Sequence, residues 1–329
     1  MRAAVYNRYG SPEVLELREI EKPIPKDNEV LIKIYAATVT AVDNIFRRGD
    51  QFFARMATGV TKPKVPILGS DLAGEIEAVG KDVKLFKTGD QVFGDSGAAT
   101  GTHAEYICLP ETGPLALKPA GMTFEDATAI PYGGLTALPF LRDKAKIQEG
   151  QRVLVNGASG AVGSMAVQLS RNFGAEVTAV CSSANAELVK SLGADNVIDY
   201  KLEDFTQNTS AYDIIFDTIG KSSFSRCKRS LRPGGIYLTT VLTMKILLQM
   251  LRTSKMGSKK AVIAFTGLRP AAEKAKDLAF LKEIIDSGKL KPVIDRSFSL
   301  DQIAEAHRYV DQGHKKGNVI ITIVHDKKG

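Results

Sequence analysis

The feature of this sequence that most constrains the fold is a strand, a glycine-rich turn and a helix in immediate succession. Residues 152–157, RVLVNG, form a short apolar run typical of a buried strand, and residues 161–173, AVGSMAVQLSRNF, have helical spacing. Gly157, Gly160 and Gly163 join the two in a GxxGxxG pattern. A helix that begins in such a turn directs free N–H groups and the positive end of its dipole outward, which suits phosphate groups.

We therefore predict a dinucleotide-binding turn, in which Gly160 lets the backbone approach the pyrophosphate and Gly163 lets the helix pack close to the strand. The predicted phosphate-contacting residues are those of the turn, Gly157, Ser159, Gly160, Ala161, Val162 and Gly163. The usual spacing is GxGxxG, so the first glycine is displaced here. The alternative is a tight turn with a structural role only.

The alternation of strand and helix continues after this turn. Strands are predicted at 176–181, 196–200, 212–219 and 235–241, and a helix at 186–192. Short apolar strands that alternate with helices are typical of a parallel sheet covered on both faces. This part of the chain is predicted to be an α/β domain of the Rossmann type, with a doubly wound parallel sheet.

The first part of the chain has a different pattern. Residues 15–21, 29–39, 72–80 and 102–110 alternate or run with β-branched residues, which predicts a mostly antiparallel β domain. A helix is predicted over 124–145, opened by Thr123 and Asp126 as a capping box. Beyond Pro270 we expect a helix to about Ser287, a strand at 295–300, a helix at 301–311 and a strand at 317–324 that returns to the first domain.

The composition excludes several classes of protein. Charged residues make up 25% and hydrophobic residues 44% of the 329 residues, so disordered and fibrous classes are excluded. Three cysteines without a CxxC pair favour a reducing compartment, and no stretch resembles a signal or a membrane span, so we expect a cytoplasmic protein. The net charge of +7 permits an anionic ligand, a membrane or nucleic acid, although a solvated surface is the simpler interpretation.

The residues after the second strand of the α/β domain predict which dinucleotide binds. NAD-dependent domains commonly have a carboxylate there, which bonds to the ribose 2′-hydroxyl. Here the strand 176–181 is followed by Ser182 and Ser183 without a carboxylate, so we expect NADPH. Lys190 and Tyr200 are expected to add contacts to its 2′-phosphate. Helix capping by the serines and a solvated helix face for Lys190 are the alternatives.

Several further motifs occur in order along the chain. They are TVTAVD at 38–43 with Gly49, PILGSDLAG at 66–74, KTGDQV at 87–92, YGGLTA at 132–137 and the glycine turn itself. Together they resemble the medium-chain dehydrogenase/reductase superfamily, in its zinc-free quinone oxidoreductase-like branch. The resemblance implies a GroES-like domain of residues 1–122 and 297–329, a nucleotide-binding domain of residues 123–296 inserted in it, and a homodimer.

The metal ligands of this superfamily are missing. In the zinc alcohol dehydrogenases of this superfamily, a Cys and a His bind the metal at the positions that correspond by resemblance to Thr40 and Ser70. The third ligand position falls near Gly133. A zinc site needs about three protein ligands from Cys, His or carboxylate, and hydroxyl groups are poor substitutes at neutral pH. The family's structural zinc lobe is replaced by a short loop at 95–101. We therefore expect no metal.

The absence of a metal favours one kind of reaction. Alcohol oxidation without a Lewis acid loses the means of stabilising an alkoxide, whereas hydride addition to a quinone or an α,β-unsaturated carbonyl delocalises charge onto an oxygen that hydrogen bonds can stabilise. The resemblance implies that Thr136, Thr240, Val241, Phe265, Thr266 and Asn318 lie near the nicotinamide, and that Thr40, Asp43 and Phe46 line the acceptor side. From the residues alone, Asp43 is better interpreted as a buried acceptor, and Phe46 as either core or stacking surface.

The predicted function is NADPH-dependent reduction of a quinone or an α,β-unsaturated carbonyl compound. The alternatives are an NADP-dependent alcohol dehydrogenase and a non-enzymatic protein that senses NADPH or binds nucleic acid, although no nucleic-acid partner is expected. One helical stripe is predicted in the segment 238–260. It packs against another domain or subunit, forms an apolar wall for a hydrophobic acceptor, or makes weak contact with a membrane surface. Its residues are Leu242, Ile246, Leu247, Met250 and Leu251.

Overall fold

The structure is a computed structural model that describes residues 1–97, 100–255 and 257–325, without the side chains of residues 52, 53 and 57. The chain forms two compact units. The first contains Met1–Tyr132, Pro270–Ser287 and Lys291–Gly329, and the second contains Gly133–Arg269 and Gly288–Leu290. The domain boundaries expected from the sequence stay a prediction.

The first unit is built on a mostly antiparallel sheet. The strands of this unit are β1 Arg2–Val5, β2 Glu16–Glu19, β3 Glu29–Val39, β4 Asp71–Val79, β5 Gln91–Asp95, β6 Tyr106–Pro110, β7 Leu115–Leu117, β14 Ile294–Ser299 and β15 Asn318–Thr322. β1 and β2 pair with each other in a separate two-stranded sheet. The seven-stranded sheet has the order β14-β15-β3-β4-β5-β7, and β6 pairs with β3. The predicted GroES-like antiparallel domain is therefore confirmed.

The last strand completes this sheet. β15 runs antiparallel to β3, with Val319 opposite Val39, and parallel to β14. The apolar residues of β3 and β4 pack in one core with Val319 and Ile321 because both strands are buried along most of their length. The predicted return of the last strand to the first part of the chain is confirmed.

Short helices surround the first sheet. They are α1 Ala41–Arg48, α2 Phe52–Thr58, α3 Phe124–Thr128, α9 Ala271–Asp286 and α10 Ile303–Asp311. The single helix predicted over 124–145 is wrong: α3 is followed by α4 Pro131–Leu138 and by a wider π-helical turn over Pro139–Ala145. Pro131 has no N–H to continue a helix and disfavours helical backbone in Ile130, whereas the backbone before Pro139 stays helical and the turns widen from there.

The second unit is a parallel sheet with helices. Its elements are β8 Arg152–Asn156, α5 Ala161–Asn172, β9 Glu176–Cys181, α6 Ala186–Ser191, β10 Asn196–Asp199, β11 Tyr212–Asp217, α7 Phe224–Cys227, β12 Leu231–Thr239, α8 Met244–Lys255 and β13 Lys260–Ile263. The strand order is β10-β9-β8-β11-β12-β13, with every pair parallel. This doubly wound order reverses direction between β8 and β11, where such sheets bind ligands.

The stripe predicted in the segment 238–260 is only partly correct. Ile246 is buried on the inner side of α8, but Leu251 is 62% exposed, together with Met244 and Leu248. Residues five apart differ by about 140° around a helix axis, so Ile246 and Leu251 cannot share one face. A membrane contact of this helix stays a prediction. In the described ranges, no helix combines the length and apolarity that a bilayer crossing requires.

Candidate functional site

The glycine turn after β8 has the shape that its residues require. Gly157 has a φ of 81°, and a Cβ atom there would lie 2.6 Å from Cγ2 of Ile219. A Cβ atom on Gly163 would lie 2.0 Å from the carbonyl oxygen of Gly157, so α5 packs directly on the turn. Side chains at these two positions would displace the backbone, which explains why both are glycine.

The third glycine, Gly160, borders open space. A Cβ atom on Gly160 would meet only the carbonyl oxygen of Gly157, at 3.5 Å. Gly160 is the N-cap of α5, and no side chain caps this helix end. An uncapped helix N-terminus beside open space fits a pyrophosphate group, because the first N–H groups of a helix have no partner within it. The turn residues Ser159, Ala161 and Val162 are next to Gly160 in the chain, and their contact with a phosphate stays a prediction.

The other predicted cofactor residues of the second unit follow the ends of parallel strands and so lie at one edge of the sheet. Ser182 and Ser183 follow β9, Tyr200 follows β10, and Thr240 and Val241 follow β12. Phe265 and Thr266 lie two and three residues after the end of β13. Ser183, Tyr200, Val241 and Phe265 are exposed. This is the carboxyl edge, at which doubly wound sheets bind dinucleotides.

Thr136 lies on α4 in the second unit. Gly133, one turn earlier on the same helix, would place a Cβ atom 2.5 Å from the carbonyl oxygen of Ala161, so α4 packs closely on the first turn of α5. Thr136 is half-buried. It lies on the same face of α4 as Gly133. Its predicted contact with the nicotinamide stays a prediction.

Asp217, at the end of β11, holds the edge of this sheet together, and the sequence analysis missed it. Its carboxylate accepts hydrogen bonds from Asn156 Nδ2 (3.0 Å), from the backbone N–H groups of Ile219 (3.3 Å), Gly220 (3.0 Å) and Ser222 (2.8 Å), and from the Tyr237 hydroxyl (3.0 Å). Asp217 is fully buried. The carboxylate thus fixes the loop after β11 beside the glycine turn.

Two side chains near the predicted 2′-phosphate site differ from expectation. Lys190 forms an ion pair with Glu187 (3.1 Å) on the exposed face of α6, which corresponds to the alternative interpretation of a solvated helix face. Asp199, at the end of β10, accepts hydrogen bonds from the backbone N–H of Ser183 (2.9 Å) and from the Ser183 hydroxyl. A carboxylate therefore does lie beside the end of β9, supplied by the neighbouring strand.

In the first unit, Thr40 and Asp43 form a reciprocal cap at the start of α1. Thr40 donates through its backbone N–H (2.7 Å) and its hydroxyl (2.6 Å) to Oδ2 of Asp43, and Oδ1 accepts from the N–H of Gly69 (3.0 Å). Both residues are buried. This geometry corresponds to the interpretation of Asp43 as a buried acceptor that fixes its loop. Contact of either residue with an acceptor molecule stays a prediction.

Phe46 and Asn318 are also engaged within the first unit. Phe46 is half-buried and packs against the apolar core. Asn318 donates through Nδ2 to the carbonyl oxygens of Ala129 (3.0 Å) and Val293 (3.1 Å). An amide nitrogen carries two protons, so both donors of Asn318 are used and only its oxygen is left for a further ligand.

Arg47 lies in the segment after Asp43, and its side chain is buried. The segment is the helix α1, and the Arg47 guanidinium bonds to Asp311 (2.5 Å) and to the carbonyl oxygen of Gly10 (2.7 Å). Burial lowers the pKa of His103 and of His307, which pack edge to face nearby, so both rings are neutral. This side of α1 is structural.

The donor set does not fit zinc. Thr40 gives its hydroxyl proton to Asp43, Ser70 is a hydroxyl and Gly133 has no side chain. Burial raises the pKa of Cys108, Cys181 and Cys227 to about 11, so these thiols are protonated, whereas zinc binds thiolates. Across the described ranges, no three His, Cys, Asp or Glu side chains are grouped as metal ligands.

Comparison with known proteins agrees with this arrangement. Residues 26–120 match the family of the alcohol dehydrogenase GroES-like domain, and residues 192–321 match the family described as zinc-binding dehydrogenase. The chain is 35% identical to 2-methylene-furan-3-one reductase of Solanum lycopersicum over 335 residues, which are 98% of this chain and 79% of that protein.

Two further relatives extend over nearly the whole chain. The NADPH-dependent alkenal/one oxidoreductase, chloroplastic, of Arabidopsis thaliana is 33% identical, with 98% of this chain and 79% of that protein covered. The solved quinone oxidoreductase of Coxiella burnetii superposes with a TM-score of 0.87 at 27% identity, covering 98% of this chain and 99% of that one. The chain therefore belongs to the medium-chain dehydrogenase/reductase superfamily, in its zinc-free quinone oxidoreductase-like branch.

Proposed function

We propose that the chain is an NAD(P)H-dependent oxidoreductase that transfers hydride to a quinone or to an α,β-unsaturated carbonyl compound. The observation that carries this proposal is the uncapped N-terminus of α5, which begins at Gly160 beside open space. Relatives that are named for the reduction of quinones and conjugated ketones support the choice of acceptor.

The second unit supplies the cofactor site in this proposal. The N–H groups at the start of α5 bind the pyrophosphate, and Asp217 holds the neighbouring loop in place. When bound, NAD(P)H supplies a hydride, which is two electrons and a proton, and leaves as NAD(P)⁺. The residues that follow the strand ends, among them Val241 and Phe265, are exposed at the same edge and exclude water from the nicotinamide.

The acceptor also needs a proton. Hydride addition to the β-carbon of an enone, or to a quinone, places negative charge on the carbonyl oxygen, which a proton then neutralises. Thr40 gives its only hydroxyl proton to Asp43, so in this arrangement it has no donor for that oxygen. We assign the proton to water. Delocalisation of the charge removes the need for a Lewis acid, in agreement with a donor set that does not fit zinc.

The finer parts of this proposal concern the choice of cofactor and the surroundings. NADPH is one proposed cofactor, supported by the hydroxyl group of Ser182 after β9 and by the relative named for it. We also keep the homodimer and the cytoplasmic location as proposals. A chloroplastic relative leaves other compartments open.

The decisive experiment measures NADPH oxidation by absorbance at 340 nm with a panel of quinones, enones and simple alcohols, with and without a chelator. We expect turnover with quinones or enones that the chelator does not change. Gly160→Ala is the matching variant, because its φ of −79° accepts a side chain while the new methyl group enters the open space. It should keep the melting temperature and weaken NADPH binding by at least about tenfold, since it removes a close phosphate contact. Unchanged binding would count against the proposed site.

A further inference from the structure

A carboxylate group stands beside the residues expected to contact the adenosine ribose. β9 and β10 run parallel, with Cys181 opposite Asp199. Oδ2 of Asp199 accepts from the N–H (2.9 Å) and from the hydroxyl of Ser183, and Oδ1 accepts from the N–H of Lys201 (2.8 Å). The bond from the Ser183 hydroxyl, followed by the backbone bond from Lys201, lowers the pKa of Asp199, so the group is ionised at neutral pH.

The loop that contains Ser183 places the Asp199 carboxylate near the expected binding site of the adenosine ribose. In doubly wound dinucleotide domains, the residues after the second strand contact the 2′-position of the adenosine ribose. β9 is that strand here. Asn185 Nδ2 donates to Ser159 Oγ (3.0 Å), so the loop after β9 is bonded directly to the turn that binds the pyrophosphate in our proposal.

The hydrogen bonds of Ser183 decide which 2′-group it suits. A serine hydroxyl has one proton, and Ser183 gives this proton to Asp199, as it does its backbone N–H. The Ser183 oxygen can still accept a bond, and a ribose 2′-hydroxyl has a proton to donate. A 2′-phosphate needs donors and would approach the negative charge of Asp199. Lys190 does not offset this charge by binding Asp199, because it is paired with Glu187.

We propose that Asp199 is the specificity-determining residue for the cofactor, acting through Ser183 in favour of NADH and against the 2′-phosphate of NADPH. This inference rests on the proposed function, because it assigns a preference within the same cofactor site. It corrects the premise that the end of β9 has no carboxylate. The chain then uses both cofactors with weak discrimination, and the preference for NADPH emerges fully only when the charge of Asp199 is removed.

The test compares Asp199→Asn, Asp199→Ser and the control Glu203→Gln in the full chain. Glu203 is exposed, and its replacement by Gln removes one negative charge without touching the hydrogen bonds of Ser183. Dissociation constants for NADPH and NADH are measured by nicotinamide fluorescence, together with kcat/KM for each. Wild type should bind the two within about tenfold of each other, and both Asp199 variants should bind NADPH about tenfold more tightly, as expected for the loss of one nearby like charge. NADH binding should stay the same or weaken, and Glu203→Gln should change neither cofactor by more than about twofold.

The outcomes separate the two proposals. A wild-type chain that binds neither cofactor overturns the proposed function and this inference with it. A chain that binds both, but whose Asp199 variants change the two affinities equally or leave NADPH binding unchanged, overturns the inference and leaves the proposed function standing. The same holds if Glu203→Gln improves NADPH binding as much as Asp199→Asn does, because the effect would then be one of net charge.

Discussion

Replacing Asp217 with Asn would show how much its carboxylate contributes to the shape of the cofactor edge. Asn keeps one oxygen and turns the other into an amide nitrogen. The less costly orientation keeps the oxygen at Oδ1, where Asn156, Ile219 and Gly220 donate, and places the nitrogen at Oδ2. There it meets the N–H of Ser222 and the Tyr237 hydroxyl, which both donate to Oδ2.

The magnitude follows from these contacts. Tyr237 can turn its hydroxyl and accept from the new amide, but the N–H of Ser222 can only donate. The substitution thus loses a hydrogen bond to a charged acceptor, about 1.5–3 kcal/mol, and leaves a buried N–H without a partner. Removal of a buried charge offsets part of this cost. We expect the local free energy of opening to fall by about 2–3 kcal/mol.

Hydrogen exchange of the backbone amides at 219–222 measures this local opening directly. A fall of 2–3 kcal/mol corresponds to exchange that is about 30- to 150-fold faster. NADPH should also bind more weakly. Tyr237→Phe is the matched control, because it removes a single donor from Oδ2 and brings no donor against Ser222; it should cost less, about 1.5 kcal/mol, the lower limit for a hydrogen bond to a charged group. If Asp217→Asn exchanged no faster than Tyr237→Phe, the carboxylate would not be what holds this loop.

Two further substitutions in the first unit have clear expectations. Arg47→Met removes a buried guanidinium and leaves Asp311 with the partly exposed Arg48 and with the buried Asn44. We expect a loss of about 3 kcal/mol in the free energy of unfolding, against less than about 1 kcal/mol for Arg48→Ala. Equal shifts in melting temperature for the two variants would contradict this. Burial raises the pKa of Asp71. The folded chain therefore keeps a proton on this carboxyl group that the unfolded chain releases above about pH 4. The stability that this group contributes is lost as the pH rises through the raised pKa. Asp71→Asn cannot titrate, so its melting temperature relative to wild type should rise between pH 4 and pH 8, and a difference that is independent of pH would refute the assignment.

The sequence predicted the elements whose signals are local. The strand, glycine turn and helix at 152–173 are adjacent in the chain, and the bounds of β9 and α5 agree closely with expectation. The predicted helix over 124–145 is interrupted before Pro131, which overrides the helical apolar pattern, and its turns widen from Pro139 onward.

The residues that the sequence analysis missed act across strands. Asp217 bonds to Asn156 on β8 and to Tyr237 on β12, and Asp199 bonds to Ser183 after the neighbouring strand. Such contacts depend on strand order and register, which no local pattern specifies. A usable signal was present, since both aspartates end apolar strands of a parallel sheet, where their carboxylates must gather at one edge.

The pairing of β15 with β3 has a consequence for how the chain is made. β3 is synthesised early, but its neighbour β15 spans Asn318–Thr322 and leaves the ribosome only after the whole second unit has been made. The second unit has nearly all its residues in one continuous stretch, Gly133–Arg269, so its parallel sheet can assemble while the first unit still exposes an unpaired apolar edge. During that interval the nascent chain depends on other proteins, or on the speed of elongation, to keep this edge from aggregating.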